Sequence, residues 1–187
     1  MKRILWLIPA ILLFSISSKA QDIPAWEFSG GYSYMDANLG GSHFHMNGGG
    51  GTATENVNSW FGGRLEVNTL QGNEGITVSD QTTVYSVNAQ TITYGPVFYY
   101  RKFSRITPFA HMQLGVVHGS TEYLGISQGA FKFAAAPGVG VDFAVNRRTA
   151  IRLDGEYLLT RFLGLTQENA NISASLVFHF GHVRNSQ

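Results

Sequence analysis

The sequence contains no cysteine. Disulfides and thiol chemistry are therefore excluded, and there is no cysteine to carry a lipid anchor. Such a composition suits passage through an oxidising periplasm without requiring it. Beyond residue 16, no apolar run approaches the roughly 18 residues that a membrane-spanning helix needs. A basic surplus is missing too. Thirteen Lys and Arg stand against twelve Asp and Glu. Three of the basic residues, Lys2, Arg3 and Lys19, fall within residues 1–20, which leaves ten against twelve, a formal −2. Nothing in that balance supports nucleic-acid binding. The run Gly48-Gly49-Gly50-Gly51 lacks the Gly-Lys-Ser/Thr continuation of a phosphate loop.

The N-terminus reads as an export signal. Lys2 and Arg3 precede an apolar stretch over residues 4–16, and Ser18-Lys19-Ala20 supplies small residues at a cleavage position. Residues 1–20 are expected to be removed, leaving 21–187 as one domain. The alternative, an uncleaved anchor, asks more length of the apolar run than it has.

The mature chain alternates. In the last stretch Ile172, Ala174, Leu176, Phe178 and Phe180 share one parity, and Ser173, Ser175, Val177 and His179 the other. Strand side chains alternate faces, so one face is oily and the other mostly polar. Roughly ten such residues suffice for a tilted strand to cross a bilayer. Similar segments fall near residues 26–34, 44–57, 61–68, 84–101, 108–119, 131–145 and 151–159, the second being the hardest to read because glycines fill its centre. The connections alternate long and short. Residues 36–43, 71–83, 120–128 and 161–169 read as long loops, and those near 58, 102–106 and 146–149 as tight turns. Long loops outside and short turns inside are the habit of outer-membrane barrels. The expected fold is all-β: an eight-stranded, antiparallel, up-and-down transmembrane barrel with both ends in the periplasm. In lipid only a closed sheet satisfies its backbone.

A soluble barrel with the oily parity turned inward is the competing arrangement. It fails on volume, because the oily set holds more large residues than an eight-stranded lumen takes. Aromatics also gather at strand ends. Trp26, Tyr32, Tyr34, Tyr99, Tyr100, Phe178 and Phe180 suggest interfacial girdles.

Charges concentrate on the other parity. Glu27, Arg64, Glu66, Lys132, Asp142, Arg152, Asp154 and Glu156 are expected to face the lumen, since a charge at the lipid midplane costs a few kcal/mol. Inside they must pair or meet water. Two readings follow: a salt-bridged plug, or a narrow porin-like channel for ions or small solutes. His118 and Ser120, with Glu122 after them, share the lipid-facing parity near a strand end. A His that polarises a Ser is the core of acyl hydrolysis, so a lipid A-modifying hydrolase is a remote third reading. His43 and His45 sit two apart and can reach one ion, but no third ligand lies near. No catalytic set, cofactor or metal is expected.

Three strings carry a family resemblance: Gly95 to Arg101 with Arg105 to His111, Arg148 to Leu153 with Tyr157 to Phe162, and the closing Val177-Phe178-His179-Phe180-Gly181. They resemble the small outer-membrane β-barrel proteins related to the transmembrane domain of outer membrane protein A, especially forms common in acidobacteria. The resemblance covers nearly all of the mature chain. It implies a structural barrel in the cell outer membrane, in contact with lipid and lipopolysaccharide and inserted by the barrel assembly machinery. It names no ligand for the loops. Many members end on the aromatic that this machinery reads, whereas here residues 182–187 follow Phe180. The peptidoglycan-binding domain of larger relatives has no counterpart, so no such anchoring is carried over.

Overall fold

The computed structural model describes residues 23–39, 42–78, 81–123, 126–162 and 165–183. The expected signal (residues 1–20), the tail from residue 184 and the side chains of His43 and Glu122 lie outside the described residues. Eight strands form one closed antiparallel barrel in chain order. They are β1 (Trp26–Leu39), β2 (Ser42–Asn56), β3 (Phe61–Val78), β4 (Gln81–Tyr99), β5 (Ile106–Tyr123), β6 (Ile126–Ala144), β7 (Thr149–Phe162) and β8 (Leu165–Phe180). Pairing of β1 with β8, from Trp26 opposite Phe180 to Asp36 opposite Ala170, leaves no open edge.

Three turns occupy one rim, at residues 57–60, 100–105 and 145–148. Local polar chemistry holds two of them. The Asn58 side-chain oxygen accepts hydrogen bonds from the Trp60 and Phe61 amides, each at 2.9 Å, and that of Asn146 accepts one from Arg148 at 2.8 Å. This is how Asn mimics a backbone turn. The first and last described residues meet at the same rim. Gly181 adopts φ 65°, which swings the chain off β8, and the Val183 amide then donates to the Ile23 carbonyl at 2.9 Å.

The other rim differs from expectation. The stretches read as long loops are strand for most of their length. β3 continues to Val78 and β4 resumes at Gln81; likewise β1, β5 and β7 run to Leu39, Tyr123 and Phe162, and β2, β6 and β8 resume at Ser42, Ile126 and Leu165. Past the bilayer both faces of a strand meet water. The oily-polar alternation then stops, and Ser, Thr, Gly and Asn read as loop although the ladder continues.

The alternation itself is as expected. Trp26, Phe28, Tyr32, Leu65, Ile92, Tyr94, Phe98, Met112, Leu114, Phe133, Leu153, Ile172 and Leu176 are exposed on the outer surface. A soluble barrel would hide them. Most residues of the opposite parity, among them Glu27, Arg64, Thr91, Thr93, Gln113, Arg152 and Asn171, are buried in the lumen.

Neighbouring glycines show how tightly the sheet coils. A methyl group on Gly30 would come no nearer than 4.0 Å to the Gly50 carbonyl oxygen, whereas on Gly31 it would strike the backbone of Ala174 and Ser175. Gly31→Ala is therefore expected to destabilise the barrel by roughly 1–3 kcal/mol, and Gly30→Ala to leave it near the parent. Urea unfolding in lipid vesicles checks this. Equal midpoints for the two variants would contradict it.

Candidate functional site

The lumen holds two ionic layers and one apolar tier. The layer nearest the turn rim is built on Glu27 and Arg152. Arg152 grips Asp142 with two nitrogens, Nε to Oδ1 and Nη2 to Oδ2, each at 2.7 Å. Its Nη2 also donates to Glu27 Oε2 at 2.9 Å. The other Glu27 oxygen accepts from Arg101 at 2.6 Å and from Asn56 at 2.9 Å, while the Tyr99 hydroxyl donates to Oε2 at 3.0 Å. β1, β2, β4, β6 and β7 are thereby tied across the barrel. Fork-shaped guanidinium–carboxylate contacts are among the stronger charge-assisted bonds.

One step further in, Arg64 meets Asp154 at 2.7 Å and Glu66 at 2.9 Å. His111 Nε2 lies 3.1 Å from the second Asp154 oxygen, and Asn68 donates to Glu66 at 2.8 Å. Phe109 joins the layers. Its ring lies under the Arg152 guanidinium at 4.8 Å and the Arg64 guanidinium at 5.6 Å. An aromatic face attracts cations, the more so where water is excluded. Above, Glu156 accepts from Asn171 at 2.8 Å. Beside Arg64, between Ser29, Ser33, Thr52, Asn68, Ser173 and Ser175, the lumen keeps a space of about 10 Å³.

Toward the hairpin rim the lumen turns apolar. Met35, Ala37, Met46, Leu70, Val117, Ala134, Ala136 and Leu158 form a buried cluster, with Phe44, Val87 and Ala89 packed on it. The sequence pattern did not single out this tier. Those residues sit on the inward parity, but Leu158 read as one exception on a polar face and the glycines of β2 hid Met46.

The structure thus brings together Glu27, Asp142 and Arg152 in one group and Arg64, Glu66 and Asp154 in another. Glu156 stands with Asn171, and Lys132 is half-buried on the inner parity of β6. Arg101, Tyr99, Asn56, His111 and Phe109 were not anticipated as members. Tyr99 was grouped with the girdle, yet it shares the parity of Thr91, Thr93 and Val97 and is buried. That parity was the available signal for both Tyr99 and Arg101.

The other aromatics grouped as a girdle, Trp26, Tyr32, Tyr34, Tyr100, Phe178 and Phe180, are exposed on the outer face. Trp26 stacks on Phe28, which meets Phe180 edge-on, and Trp60, Phe61 and Phe98 form a second group at the turn rim. Tyr100 packs on Phe103, and Phe178 stands between Thr149 and Phe28 in the ladder. Tyr32 and Tyr34 lie further up β1. The rise from Trp26 to Tyr34 is roughly 20 Å along the axis of a tilted barrel, close to the apolar band of about 25 Å. His118 is half-buried on the outer face against Phe131, ring centroids 4.4 Å apart, and no described hydrogen bond joins it to Ser120. His45 stacks on Tyr34 and lies 3.8 Å from Asp36.

Asp142→Ala is expected to cost about 3–5 kcal/mol, because it strips a buried guanidinium of its two-point partner. Asp142→Ala combined with Arg152→Met is expected to recover most of that loss. Denaturant titration of vesicle-embedded protein measures both. A single variant as stable as the parent would show that the pair contributes nothing.

Comparison with known proteins agrees with this architecture. No curated protein matches the sequence. Neisserial surface protein A superposes with a TM-score of 0.68 at 12% identity, over 83% of this chain and 97% of that one. OprG from Pseudomonas aeruginosa gives 0.58 at 13% identity, over 87% and 99% of the two chains. Ail, the attachment invasion locus protein of Yersinia pestis, gives 0.53 at 18% identity, over 83% and 99%. At such identities the likeness concerns the fold. The outer membrane protein beta-barrel domain matches residues 7–180. A closed eight-stranded sheet with an oily exterior and an ion-paired interior, matched by that domain over nearly its whole length, places this chain in the outer-membrane β-barrel family, resident in the outer membrane.

Proposed function

We propose that the protein is a non-enzymatic structural or surface-contact component of the outer membrane, with a lumen closed to solutes. The supporting observation is the stacking of an apolar tier on two cross-linked ionic layers. Met35, Met46, Leu70 and Leu158 reach inward from four strands and are almost fully buried. A hydrophobic constriction of this kind resists wetting. The remaining space beside Arg64, about 10 Å³, is about what a single water needs. Surface contact would fall to the hairpins. β3 to β6 are 18 or 19 residues long, against the roughly 9–11 that crossing requires, so their outer parts project well past the aromatic belts. Exposed connections of this kind are where recognition concentrates. Export by residues 1–20, removal after Ala20 and insertion by the barrel assembly machinery complete the reading.

One observation favours a second reading, a narrow channel. The wall made by β8, β1 and β2 is small and hydroxylated (Ser29, Gly31, Ser33, Gly50, Thr52, Ser173, Ser175), and Arg64 lines it with Nε and Nη1 unpartnered among the described residues. A water path, if one opens, runs along this wall. Planar-bilayer recording separates the readings. The folded parent is expected to be silent. Stepwise conductance from it, altered by Arg152→Ala or Glu66→Ala, would end the plug and establish the channel.

A further inference from the structure

The outer face of β2 departs from the rest of the barrel. Asn47, Gly49, Gly51, Ala53 and Glu55 point outward there, so this strand offers the bilayer no large apolar side chain along most of its length. Its neighbours do. Phe28, Tyr32 and Tyr34 rise from β1, and Leu65 and Val67 from β3. The result is a groove with a glycine and alanine floor between two bulky walls. At its turn-rim end stands Glu55, opposite Trp26 on one side and Gly63 on the other. There the groove opens into a notch of about 230 Å³ lined by Glu55, Val57, Phe61, Gly63, Tyr94 and Pro96. The notch interrupts the aromatic belt, with Trp26, Phe28 and Phe180 before it and Trp60, Phe61 and Phe98 after it.

The Glu55 carboxylate is exposed and makes no hydrogen bond or ion pair with any described residue. A carboxylate facing lipid is tolerated near the interface, and a cation supplied by the membrane improves its position. We propose that this notch binds a phospholipid with a primary ammonium headgroup. The ammonium donates to the Glu55 carboxylate, and one acyl chain lies along Ala53, Gly51 and Gly49. A choline headgroup has no N–H to donate, and an anionic headgroup is repelled. A second copy of the chain fits poorly. A two-fold axis along the membrane normal would set two Glu55 carboxylates at the same depth, facing each other.

The test uses the full chain folded in nanodiscs of phosphatidylethanolamine, phosphatidylcholine and phosphatidylglycerol in equal parts, with retained lipid read by native mass spectrometry. Heat-modifiable gel migration verifies folding in each sample. The parent is expected to retain phosphatidylethanolamine in excess, by up to about fivefold, as an exposed charge pair supplies. Glu55→Gln levels the three lipids. Val57→Trp, which fills the notch from the turn without touching the ladder, lowers retention with the carboxylate intact. Equal retention by the parent overturns the proposal. So does an excess that persists in Glu55→Gln, or a protein dimer in place of the lipid adduct. Should a variant fail to fold, the parent's preference among the three lipids decides alone.

Discussion

Hydrocarbon offers no partner to a backbone amide. In this chain the β1–β8 ladder answers that constraint, because it converts a sheet with two unpaired edges into one with none. Once the sheet closes, the side chains have only two destinations, lipid or lumen, and they alternate between them without choice. Leu65 meets the bilayer because Arg64 and Glu66 cannot. The same alternation carries Glu27, Asp142 and Arg152 into a space too narrow for their hydration shells, where each gains more from the others than from scattered water.

That narrow space explains the organisation of the interior. At the level of Arg64, bulk and charge come from β3, β5 and β7, while β1, β2 and β8 contribute Gly, Ser and Thr. Gly31 shows the limit, since its place against the Ala174 and Ser175 backbone admits no side chain at all. Opposite it, Phe109 lies beneath two guanidiniums and keeps both layers in register. The lumen is filled unevenly, dense on one wall and thin on the other. The hairpin half, around Met35 and Leu70, holds the larger apolar cluster, and Val97, Tyr99 and Phe109 form a smaller one among the ionic layers.

Much of this was legible in the sequence, and the illegible parts have physical reasons. Parity alone assigns Trp26, Phe28 and Ile92 to lipid and Arg64 and Asp154 to the interior, because two media so different leave a strong imprint. The imprint fades where both faces meet water, which is why residues 71–83 and 120–128 looked like loops. Glycine carries no imprint, and the inward Met46 beside Gly48 went unseen. Partner identity was never in the local pattern. Arg152 and Glu27 are 125 positions apart, and their meeting is decided by barrel closure rather than by spacing. Tyr99 was misjudged because aromatic character was weighed above its place in the alternation.

The bond between Glu27 and Arg152 has a temporal consequence. The first strand holds the carboxylate and the seventh holds the guanidinium, so neither finds the other until the chain is nearly complete and the cylinder shuts. Before closure Arg152 already has Asp142 beside it on β6, but Glu27 lacks the Arg152 guanidinium, and a carboxylate carried into the bilayer without it is costly. Closing the cylinder adds the Glu27–Arg152 bond to an Arg152–Asp142 pair that adjacent strands already supply. The clasp between the first and seventh strands sets only when the final seam zips, and reopening that seam would break it.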